Sequence, residues 1–313
     1  MFLVFTDTIY VMKKLIIGAV LLTVTAVGVY FFLNFPLSIE GDDVNDTGST
    51  EESADTNPYE VIGTSVEGRK IRAFRFGGGE KTLVYVGAIH GGYEWNTALL
   101  SYELIDYLTN NGNVVPADIE VIVIPVTNPD GLYKVVGTSD KFAAEEAPQF
   151  DFASEVSIDD TVVSGRFNSR GVDLNRNFDC KWQKDALWRN YTVSAGSEPF
   201  SEPEAKALRD FLIAESPEAV VFFHSASNGI YTSICEGDVL PETKSLQTAY
   251  SEASGYPRPD SFTYYEVTGD AADWLSTIGI PAITVELSQH DVIEWEKNRA
   301  GIEAMFHLYS ALD

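Results

Sequence analysis

Apolar residues along this chain fall into short continuous runs separated by longer stretches with helical spacing. Residues 82–89 (TLVYVGAI), 119–126 (IEVIVIPV), 219–223 (AVVFF) and 282–287 (AITVEL) are rich in β-branched and aromatic side chains. Runs of this length and composition predict strands buried on both faces. Between them, residues 94–109 (EWNTALLSYELIDYLT) place apolar groups at helical intervals and stop at Asn110-Asn111-Gly112. Residues 201–214 predict a second helix, with Ser201 as N-cap and Glu204 at the capping-box position. Residues 294–312 predict a third, amphipathic helix. Residues 127–131 (TNPDG) read as a turn. Residues 138–165 have no period and many acids; a loop that long inside a domain often lies near a functional site. Strands alternating with helices predict an α/β sheet.

The N-terminus follows another pattern. Lys13-Lys14 precede residues 15–37 (LIIGAVLLTVTAVGVYFFLNFPL), an uncharged run of the length needed to cross a bilayer, about 20 residues. No A-x-A-like cleavage site follows it. The expectation is a signal anchor at 15–37, with a cytoplasmic N-terminus at 1–14 and Met12 as a candidate true start. A cleaved signal peptide, giving a secreted protein, is the alternative. Lysines before the span and Glu40, Asp42 and Asp43 after it direct the remainder outside the cytoplasm. Residues 38–57 are acidic, small and short of large apolar groups, so they are expected to form a flexible linker to a domain at 58–313.

Charge narrows the partners. Forty-seven acids against 21 Lys plus Arg give a net charge of −26, which would repel the phosphates of nucleic acid. A monomer is expected, touching the membrane only through its anchor. The two cysteines, Cys180 and Cys235, lie outside any C-x-x-C pattern and are poor metal ligands. In an oxidising compartment they could form a disulfide and stabilise the fold by about 4 kcal/mol, although sequence alone leaves the pairing open.

The remaining signal is chemical. His90 and Glu94 fall where the 82–89 strand runs into a helix, with Gly91-Gly92 giving the backbone freedom for a tight turn. His224 follows the 219–223 strand, and Glu286 lies within the 282–287 strand. Two histidines and a carboxylate are a sufficient protein ligand set for a catalytic zinc with one position open to water. A separate carboxylate would then serve as general base.

In order along the chain stand HGGYEW (90–95), NPDG (128–131), RFN (166–168), GVDLNRNF (171–178), HS (224–225) and TVEL (284–287). On these segments, from about Tyr59 to the C-terminus, the chain resembles the zinc carboxypeptidases of the pancreatic carboxypeptidase family. The resemblance implies a mixed eight-stranded α/β sheet flanked by helices. It implies one zinc held by His90, Glu94 and His224, with Asp173 accepting a hydrogen bond from the first histidine. Glu286 matches the general base and Arg166 the oxyanion donor. Asn175 and Arg176 match the pair that grips a terminal carboxylate, and Tyr265, or its neighbour Tyr264, matches a mobile tyrosine. Asp270 falls where the family lines the pocket for the terminal side chain; it is either a selector for cationic residues or a solvated loop acid. His290 and His307 fit no ligand pattern and read as structural or surface residues.

Three features depart from the family. Three residues rather than two separate His90 from Glu94, no arginine stands between them, and Ala226 replaces a common tyrosine. The implied activity is a zinc metallocarboxypeptidase acting on peptides. The rival substrate is a cell-wall peptide cut at its γ-glutamyl–diaminopimelate bond, as by a murein peptide amidase. A catalytically silent peptide-binding module is a third reading.

Overall fold

Strand alternation decides which residues reach the site. The protein is described by a computed structural model that covers residues 58–148 and 160–310. The anchor expected at 15–37 and the linker at 38–57 lie outside the described residues. Among the described residues no helix is long and apolar enough to cross a membrane.

Seven strands form one mixed sheet: β1 (Glu60–Thr64), β2 (Lys70–Gly77), β3 (Lys81–Val86), β4 (Ile119–Ile124), and β7 (Ala219–Ser225), β8 (Gly229–Thr232) and β9 (Ala282–Leu287). Their order is β1-β2-β4-β3-β7-β9-β8. β4, β3, β7 and β9 run parallel, while β1, β2 and β8 extend the two edges through antiparallel pairs. Among the described residues the sheet has seven strands rather than the expected eight; β5 (Asp185–Trp188) and β6 (Tyr191–Ser194) form a separate hairpin, whose Ser194 also bridges Val172.

Every residue of β7 is buried, as a strand covered on both faces requires. Side chains alternate between two cores. Leu83, Tyr85, Val121, Val221, Phe223 and Val285 face α1 (Trp95–Asn110), α5 (Pro241–Ser254) and α7 (Trp295–Ser310). Val84, Val86, Ile122, Val220 and Phe222 face α4 (Pro203–Glu215) and α6 (Ala271–Thr277). By the same alternation His224 and Glu286 fall on the second face, at the carboxyl ends of β7 and β9.

Three local expectations change. The TNPDG segment opens a helix: Asn128 caps α2 (Pro129–Val136) by accepting from Gly131 N at 2.9 Å. A short helix α3 (Thr161–Ser164) precedes Arg166 within the stretch that lacked a period. α4 begins at Pro203 with Glu202 as cap, and Glu204 turns inward, where its carboxylate accepts from Val66 N and Asn168 Nδ2. A Pro at the first helical position replaces the side-chain cap expected of Ser201.

Candidate active site

The chain turns from β4 to one side of β3 and from β7 to the other, so a crevice opens beyond the carboxyl ends of β3 and β7. After β3, the 3-10 turn Gly91–Glu94 absorbs the extra residue between His90 and Glu94. Gly91 adopts a φ of +48°, and a Cβ there would sit 2.6 Å from Gly165 O, so the turn admits no side chain. Thr97 pins the turn: its Oγ1 accepts from Ala88 N at 3.0 Å and donates to Glu94 O at 2.8 Å.

This turn brings His90 Nδ1 within 2.7 Å of Glu94 Oε1. His224 Nδ1 lies 3.2 Å from His90 Nδ1 and 3.1 Å from Glu94 Oε2. All three side chains are buried, and their donor atoms lie within 4.8 Å of one another. Three electron-pair donors converging on one buried point are a donor set that zinc fits. Burial opposes the charge on Glu94, but His90 and His224 together hold it well below the usual carboxylate range. His90 Nε2, turned away from Glu94, lies 3.5 Å from Asp173 Oδ1, beyond a normal hydrogen bond but on the side from which a carboxylate can orient an imidazole.

Asp173 also receives Arg166 Nε at 2.7 Å and caps the 3-10 turn Leu174–Arg176 through Asn175 N at 3.1 Å. Its carboxyl is held far below the ordinary range, burial being outweighed by Arg166 and His90. Arg166 is 1% exposed, and its Nη2 has no partner among the described residues. Glu286 accepts from Ser227 N at 3.1 Å and is pushed up to about 7 by burial, with His224 lowering it and Glu94 raising it.

On one side of Glu286 lies a pocket reached by Asn175, Arg176, Tyr265, Asp260, Glu266, Asp270 and Asp273. Arg176 spends Nε on Leu187 O at 3.0 Å and Nη1 on Asn175 O at 2.7 Å. Asp270 caps α6 through Asp273 N at 3.0 Å, and its other oxygen accepts from Asn175 Nδ2 at 2.7 Å. Asp270 thus lines the pocket but also holds Asn175 in place. Gly269 (φ +68°) lets this segment pass Arg176, since a Cβ would meet Arg176 O at 2.0 Å. Asp273 carries no mark of a site residue in the sequence; its carboxyl is pushed up to about 8, by burial first and then by Asp270. Cys180 and Cys235 form a disulfide beside this pocket, with Cα atoms 5.6 Å apart.

On the other side, a second cleft is lined by Tyr93, Trp188, Arg189, Tyr264 and His290. Tyr265 borders both clefts and lies with its ring centroid 5.8 Å from the Arg176 guanidinium carbon, whereas Tyr264 is 69% exposed. His290 is buried against Tyr93, with ring centroids 4.8 Å apart, and accepts or donates at Ser225 Oγ over 3.0 Å. Burial brings it down to about 4, so it is neutral at pH 7. The turn-borne Gly-Gly gives sequence reasoning its signal for His90 and Glu94; His290, at the exit of β9, has no such marker.

Comparison with known proteins places this geometry. The zinc carboxypeptidase family profile (Peptidase_M14) matches residues 50–304. A γ-D-glutamyl-L-diamino acid endopeptidase of Lysinibacillus sphaericus is 28% identical over 72% of this chain. The match spans 59% of that relative's length. Carboxypeptidase B of Astacus astacus is 24% identical over 78% of this chain and 76% of its own. Murein peptide amidase A of Escherichia coli K12 is 30% identical over 42% of this chain and 54% of its own. Among solved structures, the murein-tripeptide amidase of Escherichia coli O157 aligns with a TM-score of 0.54 and 22% identity, over 83% of this chain and 95% of its own. Thrombin-activatable fibrinolysis inhibitor aligns with a TM-score of 0.60 and 19% identity, over 80% of this chain and 68% of its own.

Proposed function

This chain belongs to the zinc carboxypeptidase family, and from that membership we propose that it hydrolyses the amide bond preceding a C-terminal residue with a free carboxylate and a cationic side chain. Its family is one of zinc carboxypeptidases, and His90, Glu94 and His224 would hold one zinc. When bound, zinc supplies a Lewis acid and brings the pKa of a coordinated water toward about 7.

The protein groups do the rest. Asn175 and Arg176 take the terminal carboxylate, Arg176 through the Nη2 that its two backbone bonds leave available. Glu286 accepts a proton from the attacking water and returns it to the departing amine nitrogen. Arg166 Nη2, buried and unpartnered among the described residues, donates to the oxygen that becomes negative as the carbonyl is attacked. Tyr265 covers the junction of the two clefts.

The observation that carries the side-chain preference is the set of four acids, Asp260, Glu266, Asp270 and Asp273, around the pocket beside Arg176. An ammonium group there would favour the ionised form of Asp273, whose proton leaves to solvent, and would pair with the carboxylate. Lysine, arginine and diaminopimelate all present a cationic group of this kind. The γ-D-glutamyl–diaminopimelate bond of cell-wall peptides is the reading that the similarity to the endopeptidase and the murein amidase favours. We further propose that residues 15–37 anchor the chain with its catalytic domain outside the cytoplasm; the disulfide, which persists in oxidising compartments, supports this.

The test uses zinc-loaded full-length chain in detergent with peptides ending in Lys, Arg, Phe or Ala, each with free or amidated C-terminus, and the L-Ala-γ-D-Glu-diaminopimelate tripeptide. Expected is release of cationic terminal residues from free-carboxylate substrates only, and loss of about 10²–10⁴ in turnover in Glu286→Gln with zinc content unchanged. Cleavage of amidated and free substrates alike would sink the proposal.

A further inference from the structure

One cation in the cleft serves neither the scissile carbonyl nor the terminal carboxylate. Arg189 lines the cleft upstream of Glu286, alongside Tyr93, Trp188 and His290. Of the ten arginines in the chain, all described, seven pair with a carboxylate. The other three are Arg176, Arg258 and Arg189. Arg176 faces the terminal carboxylate, and Arg258 donates to Thr248 Oγ1 at 2.7 Å. Among the described residues, Arg189 makes a single long hydrogen bond, Nη2 to Tyr93 Oη at 3.4 Å. In a chain with 47 acids and 21 Lys plus Arg, an arginine with no described acid beside it is the exception.

Its placement is also specific. β5 and β6 are joined by a two-residue turn, Arg189-Asn190, and Arg189 opens that turn at a φ of +55°. Most L residues avoid this conformation, which glycine adopts freely. The turn carries the guanidinium to the Trp188 ring, 5.4 Å from its centroid, and the Arg166 guanidinium lies 4.8 Å from the same centroid. Two guanidiniums therefore lie against one aromatic plate: Arg166, assigned above to the scissile carbonyl, and Arg189 upstream of it. The turn between His90 and Glu94 (Gly91-Gly92-Tyr93) adds no cation to this side.

We propose that Arg189 binds a carboxylate on the residue immediately upstream of the scissile bond, the α-carboxylate of a γ-linked glutamyl unit. The proposal rests on the hydrolase reading above and extends it to the acyl side of the substrate. In a γ-glutamyl amide, four carbon–carbon bonds separate the scissile carbonyl carbon from the free carboxylate carbon, about 5 Å end to end. With a hydrogen bond of about 3 Å at each end, that length is of the same order as the reach between two guanidiniums whose carbons lie 4.8 and 5.4 Å from one ring centroid. An ordinary α-linked peptide offers a neutral amide at that position unless its penultimate side chain is itself acidic.

The experiment compares substrates differing only in that carboxylate. Zinc-loaded full-length wild type, Arg189→Gln and Arg189→Lys are assayed on L-Ala-γ-D-Glu-diaminopimelate and on its isoglutamine form, whose α-carboxylate is amidated. A second pair, α-linked peptides ending Glu-Lys or Gln-Lys, is run in parallel. The expected free-acid to amide ratio of kcat/KM is about 10–100 in wild type, from one charge-assisted hydrogen-bonded contact. It falls to near one in Arg189→Gln and is partly kept in Arg189→Lys. A wild-type ratio near one, or equal losses on both substrates in Arg189→Gln, overturns the proposal; equal losses would mark a purely structural role. If only the α-linked pair is cleaved, the γ-glutamyl assignment fails while the Glu/Gln ratio still decides whether Arg189 reads a carboxylate. Calorimetric affinities of the same pairs for the Glu286→Gln chain give the ratio without turnover, so an inactive preparation still decides the question.

Discussion

Asp273 carries a pH dependence that can be worked out from its surroundings. Burial and the Asp270 carboxylate push it up to about 8, against about 3.9 for an aspartate in an unfolded chain. Between those values the folded state holds a proton that the unfolded state has released. Stability contributed by this site therefore falls as pH rises through that window, by up to about 1.4 kcal/mol per pH unit. Asp273→Asn keeps the oxygen that accepts from Ile234 N and removes the ionisation. Urea midpoints at several pH values from 5 to 8 should show the variant gaining on wild type as pH rises; parallel curves would mean that Asp273 is ionised throughout. Single residues are legible in sequence where a motif marks them. His90, Glu94, Asp173 and Arg176 stand in dense, ordered segments. Asp273, Arg189 and His290 are brought to the cleft from a helix, a hairpin turn and a strand exit, and nothing beside them in sequence announces it. Glu204 departs from its expected role because a helix-start pattern cannot tell a capping carboxylate from one turned inward to Val66 and Asn168.

At the scale of elements, the Cys180–Cys235 bond ties the segment that carries Asn175 and Arg176 to the one that precedes α5. Around it, Gly269 N donates to Cys180 O at 2.7 Å, and Cys235 N donates to Ser276 Oγ at 2.9 Å, so three segments of the pocket meet there. Replacing both cysteines by serine should lower the unfolding free energy by about 4 kcal/mol, on the loop-closure estimate for the 55-residue separation. It should also raise KM more than it lowers kcat, because the tie supports the carboxylate grip rather than Glu286. Denaturant midpoints and steady-state kinetics check both; an unchanged KM would separate the disulfide from the pocket. The buried strands are legible because each is an unbroken β-branched run covered on both faces. β5 and β6 are not, because a four-residue hairpin arm has too little pattern to stand out from a loop. The NPDG segment has turn composition but also a good cap and a Pro at the first helical position, and the fold uses it to start α2.

For the whole molecule, the metal is expected to be a source of stability as well as of chemistry. His90, Glu94 and His224 are buried together, and a zinc that binds only the folded chain stabilises it by about 4 kcal/mol at a thousandfold excess over Kd. Chelation should therefore lower the thermal midpoint, and added zinc should restore it. An identical midpoint with and without chelator would argue against metal at this site, whatever the activity. The α/β class and the crevice are legible at this scale because strands and helices alternate from one end of the described domain to the other. The two-sided division of the cleft is not, since it depends on where the hairpin comes to rest. The sheet also constrains how such an enzyme can change. His224 and Glu286 face each other as partners on adjacent parallel strands, so the proposed metal ligand and the proposed base share a rung of the backbone ladder. Their spacing is an inherited dimension of the sheet, whereas Arg189 and Asp270 sit on a hairpin turn and a helix cap outside it. New substrate preferences can thus be grafted onto the periphery while the reacting machinery travels unchanged, as a tool keeps its handle when the bit is exchanged.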